Sequence, residues 1–325
     1  MKILFIIDDL ELKYFEFNKL VTNFWLIVEF LKRGYEVSIT INRNLYLREN
    51  KPYASCFETY FDGNELFKRD SLSEKCLDDF KLILFRPDPP VDLDYINASY
   101  VLDFIDKNKT LCLNSSSSIR NKNEKLYVNE FPDLAPKNIV TASKRLIKEF
   151  LFQHNEIIIK PLNRCFSSGV FYLNKNDKNI NTIIDTATEK EKTTVMVQEF
   201  LPQIEKGDKR LIYVCGEILP YCVVKKATNN DFKFNEHTKE NLLKGYLTDK
   251  EREFAPVLSK KLNEDGVFLA GLDVIEDKII EINITSPCFF INEINNLFNI
   301  SLEKIIVNKL EARFNNIFNK KEMFL

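Results

Sequence analysis

The 325-residue chain reads as an α/β domain with a doubly wound parallel sheet, followed by an α+β part built mostly from antiparallel strands. Three observations predict this. Strand-like and helix-like periodicities alternate through the first third, as a parallel sheet with crossover helices requires. From about Ser115 onward the character changes: strand-like runs at 156–162, 169–173, 195–201, 208–216 and 217–227 follow one another, the last two as a hairpin. Hydrophobic residues make up 45% and charged residues 29% of the chain, the balance of a globular protein able to bury a large core.

The elements follow in order. "KILFIID" (2–8) is a strand, and "NKLVTNFWLIVEFLKRG" (18–34) has helical spacing and stops at Gly34, a suitable residue just past a helix end. "YEVSITI" is the next strand, and "LILFRPDPP" (82–90) is an apolar strand halted by prolines. "DYINASYVLDFIDKN" (94–108) is a helix and "TLCLN" (110–114) a strand. In such sheets ligands bind beyond the carboxyl ends of the strands, where Arg86, Asp88 and Asn114 fall. "RNKNEKLYVNEF" reads as a helix, and "EIIIKPL" (156–162) and "GVFYL" (169–173) as strands joined by a polar loop. "VMVQEFL" (195–201), "DKRLIYVCG" (208–216) and "EILPYCVVKKA" (217–227) continue the strands, the last two turning at Gly216. "TDKEREFAPVLSKKLNEDG" (248–266) is an amphipathic helix, and "SLEKIIVNKLEARFNNIF" (301–318) closes the chain with Ser301 as N-cap.

Several function classes have little material. The net charge of −2 gives no electrostatic case for nucleic acid or an anionic membrane. "MKILFII" is too short for a span or a signal sequence and is ended by Asp8 and Asp9. Seven scattered cysteines without a CxxC spacing read as free thiols of a reducing cytoplasm. With two histidines, His154 and His237, a histidine-based zinc site or a catalytic triad is disfavoured. Cys165 beside Arg164 and His237 in a polar loop read as an inert thiol and a solvated side chain.

The informative stretch is "GLDVIEDKIIEINITSP" (271–287). It reads as a hairpin whose apolar strands are interrupted by Asp273, Glu281, Asn283 and Thr285. Residues two apart on a strand share a face, so Glu281 and Asn283 point the same way. Asp273 joins them if it lies opposite Glu281, which asks for an odd connection, the three residues "EDK". Two carboxylates brought that close repel unless a cation lies between them. Oxygen donors of this kind suit Mg²⁺ or Mn²⁺, which share a substrate phosphate. Lys160, closing a run of three isoleucines, Lys125 in "NEKLY" and Arg210 after "GDK" supply positive charge for phosphates. Taken singly, each reads better as a solvated surface lysine or arginine, with Lys160 the least easily dismissed, and a lone Asp reads by default as a solvent-facing edge-strand residue.

"RPDPP" (86–90), "NEKLY" (123–127), "IIIKPL" (157–162), "QEFLP" (198–202), "GDKRLIYV" (207–214), "LPYCVV" (219–224) and the hairpin stand in the order found in bacterial glutathione synthetases. The chain resembles that family of the ATP-grasp superfamily over about residues 80–315, and more weakly over 1–50. The resemblance implies a pre-ATP-grasp, substrate-binding α/β domain (1–122) and an ATP-grasp domain (123–318) with an ATP-binding subdomain (123–200) and a metal-binding, catalytic subdomain (201–318). It implies that ATP is held by Lys125, Lys160, Ser167, Ser168, Gly169, Gln198, Glu199, Phe200, Leu201 and Asp208. It further implies two Mg²⁺ or Mn²⁺ ions on Asp273, Glu281 and Asn283, and catalytic roles for Arg210, Lys233 and Asn235. Arg86, Ser286 and Pro287 are implied to hold the acyl donor. The implied reaction joins γ-glutamylcysteine to glycine through an acyl phosphate, in a cytoplasmic homo-oligomer with no nucleic-acid or membrane partner.

Three stretches depart from the family pattern. The glycine-rich phosphate loop is "NRCFSSG" (163–169), with Phe166 where small residues favour close backbone approach. The lid is "NNDFKFNEHTKENLLKG" (229–245), without the family's glycines. "KLVTN" (19–23) keeps Thr22 but lacks the family's acid. These changes leave two alternatives to glutathione synthesis: a ligase joining a different carboxylate and amine, and a catalytically silent nucleotide-binding relative.

Overall fold

The structure, a computed structural model, describes residues 1–15, 19, 21–164, 168–226, 241–286 and 290–322, the last five of these without side chains. The chain begins with β1 (Lys2–Ile7), α1 (Asp9–Lys13), α2 (Thr22–Lys32) and β2 (Glu36–Ile41). Four strands come next: β3 (Leu45–Arg48), β4 (Lys51–Phe61), β5 (Leu66–Lys68) and β6 (Ser73–Cys76). β7 (Leu82–Phe85), α3 (Leu93–Val101), β8 (Leu111–Leu113) and α4 (Ser116–Asn121) complete the first part.

β2, β1, β7 and β8 are parallel and neighbours in that order, the expected doubly wound core. Side chains alternate across a strand, so Ile3, Phe5 and Ile7 face α2 while Leu4 and Ile6 face the side of α3 and α4. Gly34, at φ +79°, ends α2 as the sequence predicts. The sheet also extends through antiparallel pairing of β2 with β4, on which β3, β5 and β6 lie. The purely parallel reading missed that extension.

A second, antiparallel sheet comprises β9 (Asn138–Thr141), β10 (Glu156–Pro161), β11 (Phe171–Asn174) and β12 (Val195–Glu199). One face is covered by α5 (Lys144–His154) and α6 (Ile180–Ala187) through Ile157, Ile159 and Val197. The third sheet holds β13 (Asp208–Val214), β14 (Glu217–Ile218), β15 (Tyr221–Lys225), β16 (Leu242–Tyr246), β17 (Leu269–Ile275) and β18 (Lys278–Asn283). Leu211, Leu272 and Ile282 face α7 (Asp249–Glu264), whose start is fixed by a reciprocal cap between Thr248 and Glu251.

α8 (Ile291–Phe298) and α9 (Leu302–Glu322) return to the first part, where α9 lies against α2. Glu311 binds Arg33 at 2.6 Å and the Tyr35 hydroxyl at 2.7 Å. Asn114 makes a second joint. Its amide donates to the Leu269 and Ile284 carbonyls and accepts from the Phe268 and Leu269 amides, at 2.6–3.0 Å. The sequence expectation of a helix through "NEKLY" is corrected: α4 stops at Asn121, and Tyr127–Glu130 form one 3-10 turn. Asn123 breaks the helix because its side-chain oxygen accepts from the Lys125 and Leu126 amides, an alternative to helical bonding. Among the described residues no helix is long and apolar enough to cross a membrane.

Candidate active site

The site is laid out by strand alternation. On β13, Asp208 and Arg210 share the face away from α7. Asp273 on β17 lies opposite Arg210, and Glu281 on β18 lies opposite Asp273. Lys225 on β15 lies opposite Asp208, and Asn283 opposite Gly271. Six polar side chains thus occupy one sheet face whose reverse is apolar core.

The predicted pairing of Asp273 with Glu281 is present, but the predicted three-residue connection is not. Ile275 pairs with Lys278, so the turn is the two residues Glu276 and Asp277, with Glu276 at φ +57°. A two-residue turn on its own would set Asp273 opposite Ile280. The register shift after Asp273 restores the pairing: Val274 lies opposite Ile279, and Ile280 is bulged out. The bulged Ile280 carbonyl then accepts from Lys160 Nζ at 3.5 Å.

Each described carboxylate of this face has a cation beside it. Arg210 grips Asp273 with two bonds, Nε to Oδ1 at 2.7 Å and Nη2 to Oδ2 at 2.9 Å. Lys225 lies 3.2 Å from Asp273 and 2.8 Å from Asp208. Lys125 lies 3.1 Å from Glu281 and donates to the Arg164 carbonyl at 2.6 Å. Burial acts to raise the Asp273 carboxyl, but the Arg210 and Lys225 charges overcome it and hold the group well below the usual carboxylate range. At Asp208 burial wins, and the carboxyl is raised despite Lys225. Burial pushes the Lys160 ammonium down to about 8, with Glu281 opposing the fall and Lys125 adding to it.

The donor set fits a hard divalent cation. Asn283 turns its Nδ2 to Asp273 Oδ2 (3.0 Å) and the Gly271 carbonyl (3.3 Å), leaving its oxygen as a donor to a cation. Among the described residues no three His, Cys, Asp or Glu side chains form a metal-holding group. The set is therefore two carboxylates and an amide, which suits an ion that completes its sphere with water and phosphate.

Several of the residues expected to hold ATP lie on or beside the neighbouring sheet. Gln198 on β12 pairs with Ile158, two residues before Lys160 on β10, so Gln198 and Lys160 share a face. Gln198 is buried, and among the described residues its Nε2 has no hydrogen-bond partner. Glu199 accepts from the Lys137 amide at 2.8 Å, and Phe200 meets Tyr172 edge to face. Leu201 opens the 3-10 turn Pro202–Lys206. Gly169 sits at φ +72°, where a Cβ would meet Pro161 at 3.0 Å, so the glycine is required. Ser168 is exposed. Ser167, Lys233, Asn235 and Pro287 lie outside the described residues, as do Cys165, Phe166 and His237.

On the donor side, Arg86 is almost fully buried at the end of β7 and donates from Nη1 to the Thr285 carbonyl at 3.4 Å, next to buried Ser286. Two functional side chains escaped the sequence reading. Lys225 was legible as the cation across from Asp208 once β13 and β15 were paired. Glu124 accepts from the Thr285 amide (2.9 Å) and hydroxyl (2.7 Å), joining the segment that carries Lys125 to the end of β18. Its burial and the nearby Glu281 charge raise its carboxyl. Only its place beside Lys125 pointed to it.

The chain is similar to known proteins over most of its length. Residues 1–120 match the family model of the prokaryotic glutathione synthetase N-terminal domain, and residues 124–299 that of the prokaryotic glutathione synthetase ATP-grasp domain. The glutathione synthetase of Vibrio parahaemolyticus is 34% identical over 300 residues, covering 90% of this chain and 93% of the relative. That of Coxiella burnetii is 31% identical over 295 residues, covering 90% and 92%. Among solved structures, D-cycloserine synthetase DcsG superimposes with a TM-score of 0.68 over 96% of this chain and 99% of that one; at 13% identity it speaks to the fold alone. With both of its parts matched in order and the charged hairpin in register, the chain belongs to the prokaryotic glutathione synthetase family and carries the ATP-grasp fold.

Proposed function

We propose that the charged face of β13, β17 and β18 is where the γ-phosphoryl group of ATP passes to a carboxylate, and that the carboxylate is that of γ-glutamylcysteine. Family membership makes the chain an ATP-dependent ligase that forms a peptide bond in glutathione synthesis. The observation that carries the residue assignment is the row Arg210–Asp273–Glu281–Lys125, in which two carboxylates on adjacent strands are each paired with a cation, Asp273 with Arg210 at 2.7 Å and Glu281 with Lys125 at 3.1 Å. Phosphoryl transfer asks for such positioning and charge, not for a protein nucleophile.

Asp273, Glu281 and Asn283 would hold the Mg²⁺ or Mn²⁺ ions, two in number, which neutralise phosphate charge when bound. Lys125, beside Glu281, and Lys160, on the Ile280 carbonyl, meet the phosphates. Arg210 steadies charge on the transferring phosphoryl, and Asp208 with Lys225 keeps it at the site. Gln198, Glu199, Phe200 and Leu201 line the nucleotide's base and ribose, and the unpartnered Gln198 amide supplies a hydrogen-bond donor there. Ser167, Ser168 and Gly169 cover the phosphates. Arg86, Ser286 and Pro287 hold the donor. The acyl phosphate is then opened by the amine of glycine, with Lys233 and Asn235 over the acceptor. The reading extends to a cytoplasmic homo-oligomer, supported by the family likeness.

Purified protein incubated with ATP, Mg²⁺, γ-glutamylcysteine and glycine should form glutathione by mass spectrometry, with equimolar phosphate. Glu281→Ala should abolish both. Phosphate release only with some other acid or amine from a panel would overturn the substrate assignment, and normal turnover by Glu281→Ala would overturn the metal assignment.

A further inference from the structure

We propose that Glu11 is a positioning residue for donor recognition: through Asn23 it sets the orientation in which Arg86 meets the acyl donor. The inference rests on the assignment of Arg86 to that donor. The stretch "KLVTN" holds no acid, yet the fold delivers one from a different helix. Asp8 caps α1 by accepting from the Glu11 amide at 2.8 Å, which fixes the helix start and turns Glu11 inward. Its neighbour Leu10 is exposed, while Glu11 is buried.

The contacts form a directed chain. Asn23, fully buried in the first turn of α2, donates from Nδ2 to Glu11 Oε2 at 2.9 Å. Its Oδ1 accepts from Arg86 Nε at 3.0 Å. The Arg86 backbone is anchored by its amide to the Ile6 carbonyl at 2.8 Å, and the far end of the guanidinium reaches Thr285. A side-chain amide has a donor end and an acceptor end. Turned over, Asn23 would set an N–H against the Arg86 Nε–H. The Arg86 Nε–H can only donate, so it takes the Asn23 oxygen, and Glu11 Oε2 accepts from the amide end; the two hold one orientation between them, and Glu11 acts on Arg86 without touching it.

An acid is not needed there for packing. Asp8, Asp88 and Arg86 are the charged groups that bear on Glu11, together with the Asn23 amide. Burial, with Asp8 and Asp88 adding and Asn23 and Arg86 opposing, raises the carboxyl to about 8, so at neutral pH it is protonated and still offers Oε2 as acceptor. A glutamine offers the same acceptor, whereas a leucine of similar bulk offers none.

The test uses the full chain and steady-state kinetics with each substrate varied. Glu11→Leu should raise the KM for γ-glutamylcysteine by about tenfold or more, the loss typical of removing a residue that orients a ligand-binding group. The KM for ATP and kcat should stay within about threefold, and Glu11→Gln should restore the dipeptide KM to within about twofold of the parent. In an Arg86→Ala background, Glu11→Leu should add nothing further. An unchanged dipeptide KM in Glu11→Leu, or an equal loss in all three parameters, overturns the inference. If Glu11→Leu does not fold, Asn23→Ser interrupts the same chain with the same expectation, and loss of fold in both overturns it, because the chain is then structural. If Arg86→Ala itself leaves the dipeptide KM unchanged, the donor assignment fails first. If Arg86→Ala raises it and Glu11→Leu does not, only the role of Glu11 fails.

Discussion

Asp273 and Glu11 are both buried carboxyl groups, and the protein treats them in opposite ways. Asp273 stands on a sheet face where Arg210 and Lys225 approach within 2.7–3.2 Å, and its carboxylate is held ionised despite burial. Glu11 stands on a short helix where its hydrogen-bond partner is a neutral amide and two of its nearest charges are acids, and its carboxyl is pushed up to about 8. The partners decide the state of an acid more than its depth does. The sheet face around Asp273 is thus an array of paired ions. Around Glu11 the network is directional, with a carboxyl and an amide chained to the Arg86 guanidinium.

Four experiments break or sharpen that contrast, the largest effect first. Arg210→Ala removes the central cation of the ionic array and should lower kcat by on the order of 10³-fold, as loss of a phosphoryl-stabilising arginine does. Retention of kcat would place the chemistry elsewhere. Asn114→Ala strikes the joint between the two regions. It breaks a buried amide with bonds to Phe268, Leu269 and Ile284 and should cost about 3 kcal/mol in denaturant unfolding. Lys160→Ala should raise the KM for ATP by roughly tenfold to a hundredfold, about the cost of one charge-assisted bond, with the dipeptide KM little changed. Equal effects on both substrates would blur the separation of the two regions.

The smallest effect is a pH slope. Glu11 binds its proton more tightly in the folded than in the unfolded chain, so its folded pKa lies above the ordinary 4.5, at about 8. Between those values the folded state carries the extra proton, and stability therefore falls as pH rises through that window. Glu11→Gln should flatten that fall in thermal unfolding measured from pH 5 to pH 8. Asp273 has the opposite sign: its contribution is present above the ordinary carboxylate range and is lost as pH falls towards its depressed value. An unchanged slope in Glu11→Gln would mean that Glu11 is ionised in the folded protein.

Much of the charged face was legible in the sequence. Strand alternation is local, so Glu281 with Asn283, and Asp208 with Arg210, had to share faces once the strands existed. The order of motifs from "NEKLY" to "TSP" carried the family and its ATP-grasp fold. Helix ends marked by Gly34, and by Thr248 with Glu251, were equally local. Tertiary structure decided what depends on contacts between distant segments. The bulge at Ile280 sets Asp273 opposite Glu281 despite a two-residue turn, and its displaced carbonyl receives Lys160 from another sheet. The antiparallel extension through β4, the tie of Glu124 to Thr285 and the clasp of Asn114 on β17 have no periodic signature. Glu11 shows the limit most plainly: as one of many acids in the chain it is unremarked, and only the packing of α1 beside α2 turns it into the neighbour of Asn23 and, through it, of Arg86. Periodicity reports which face a side chain takes, because that follows from backbone geometry alone. It does not report what meets that face, because the partner is set by how separate elements bury their apolar surfaces together.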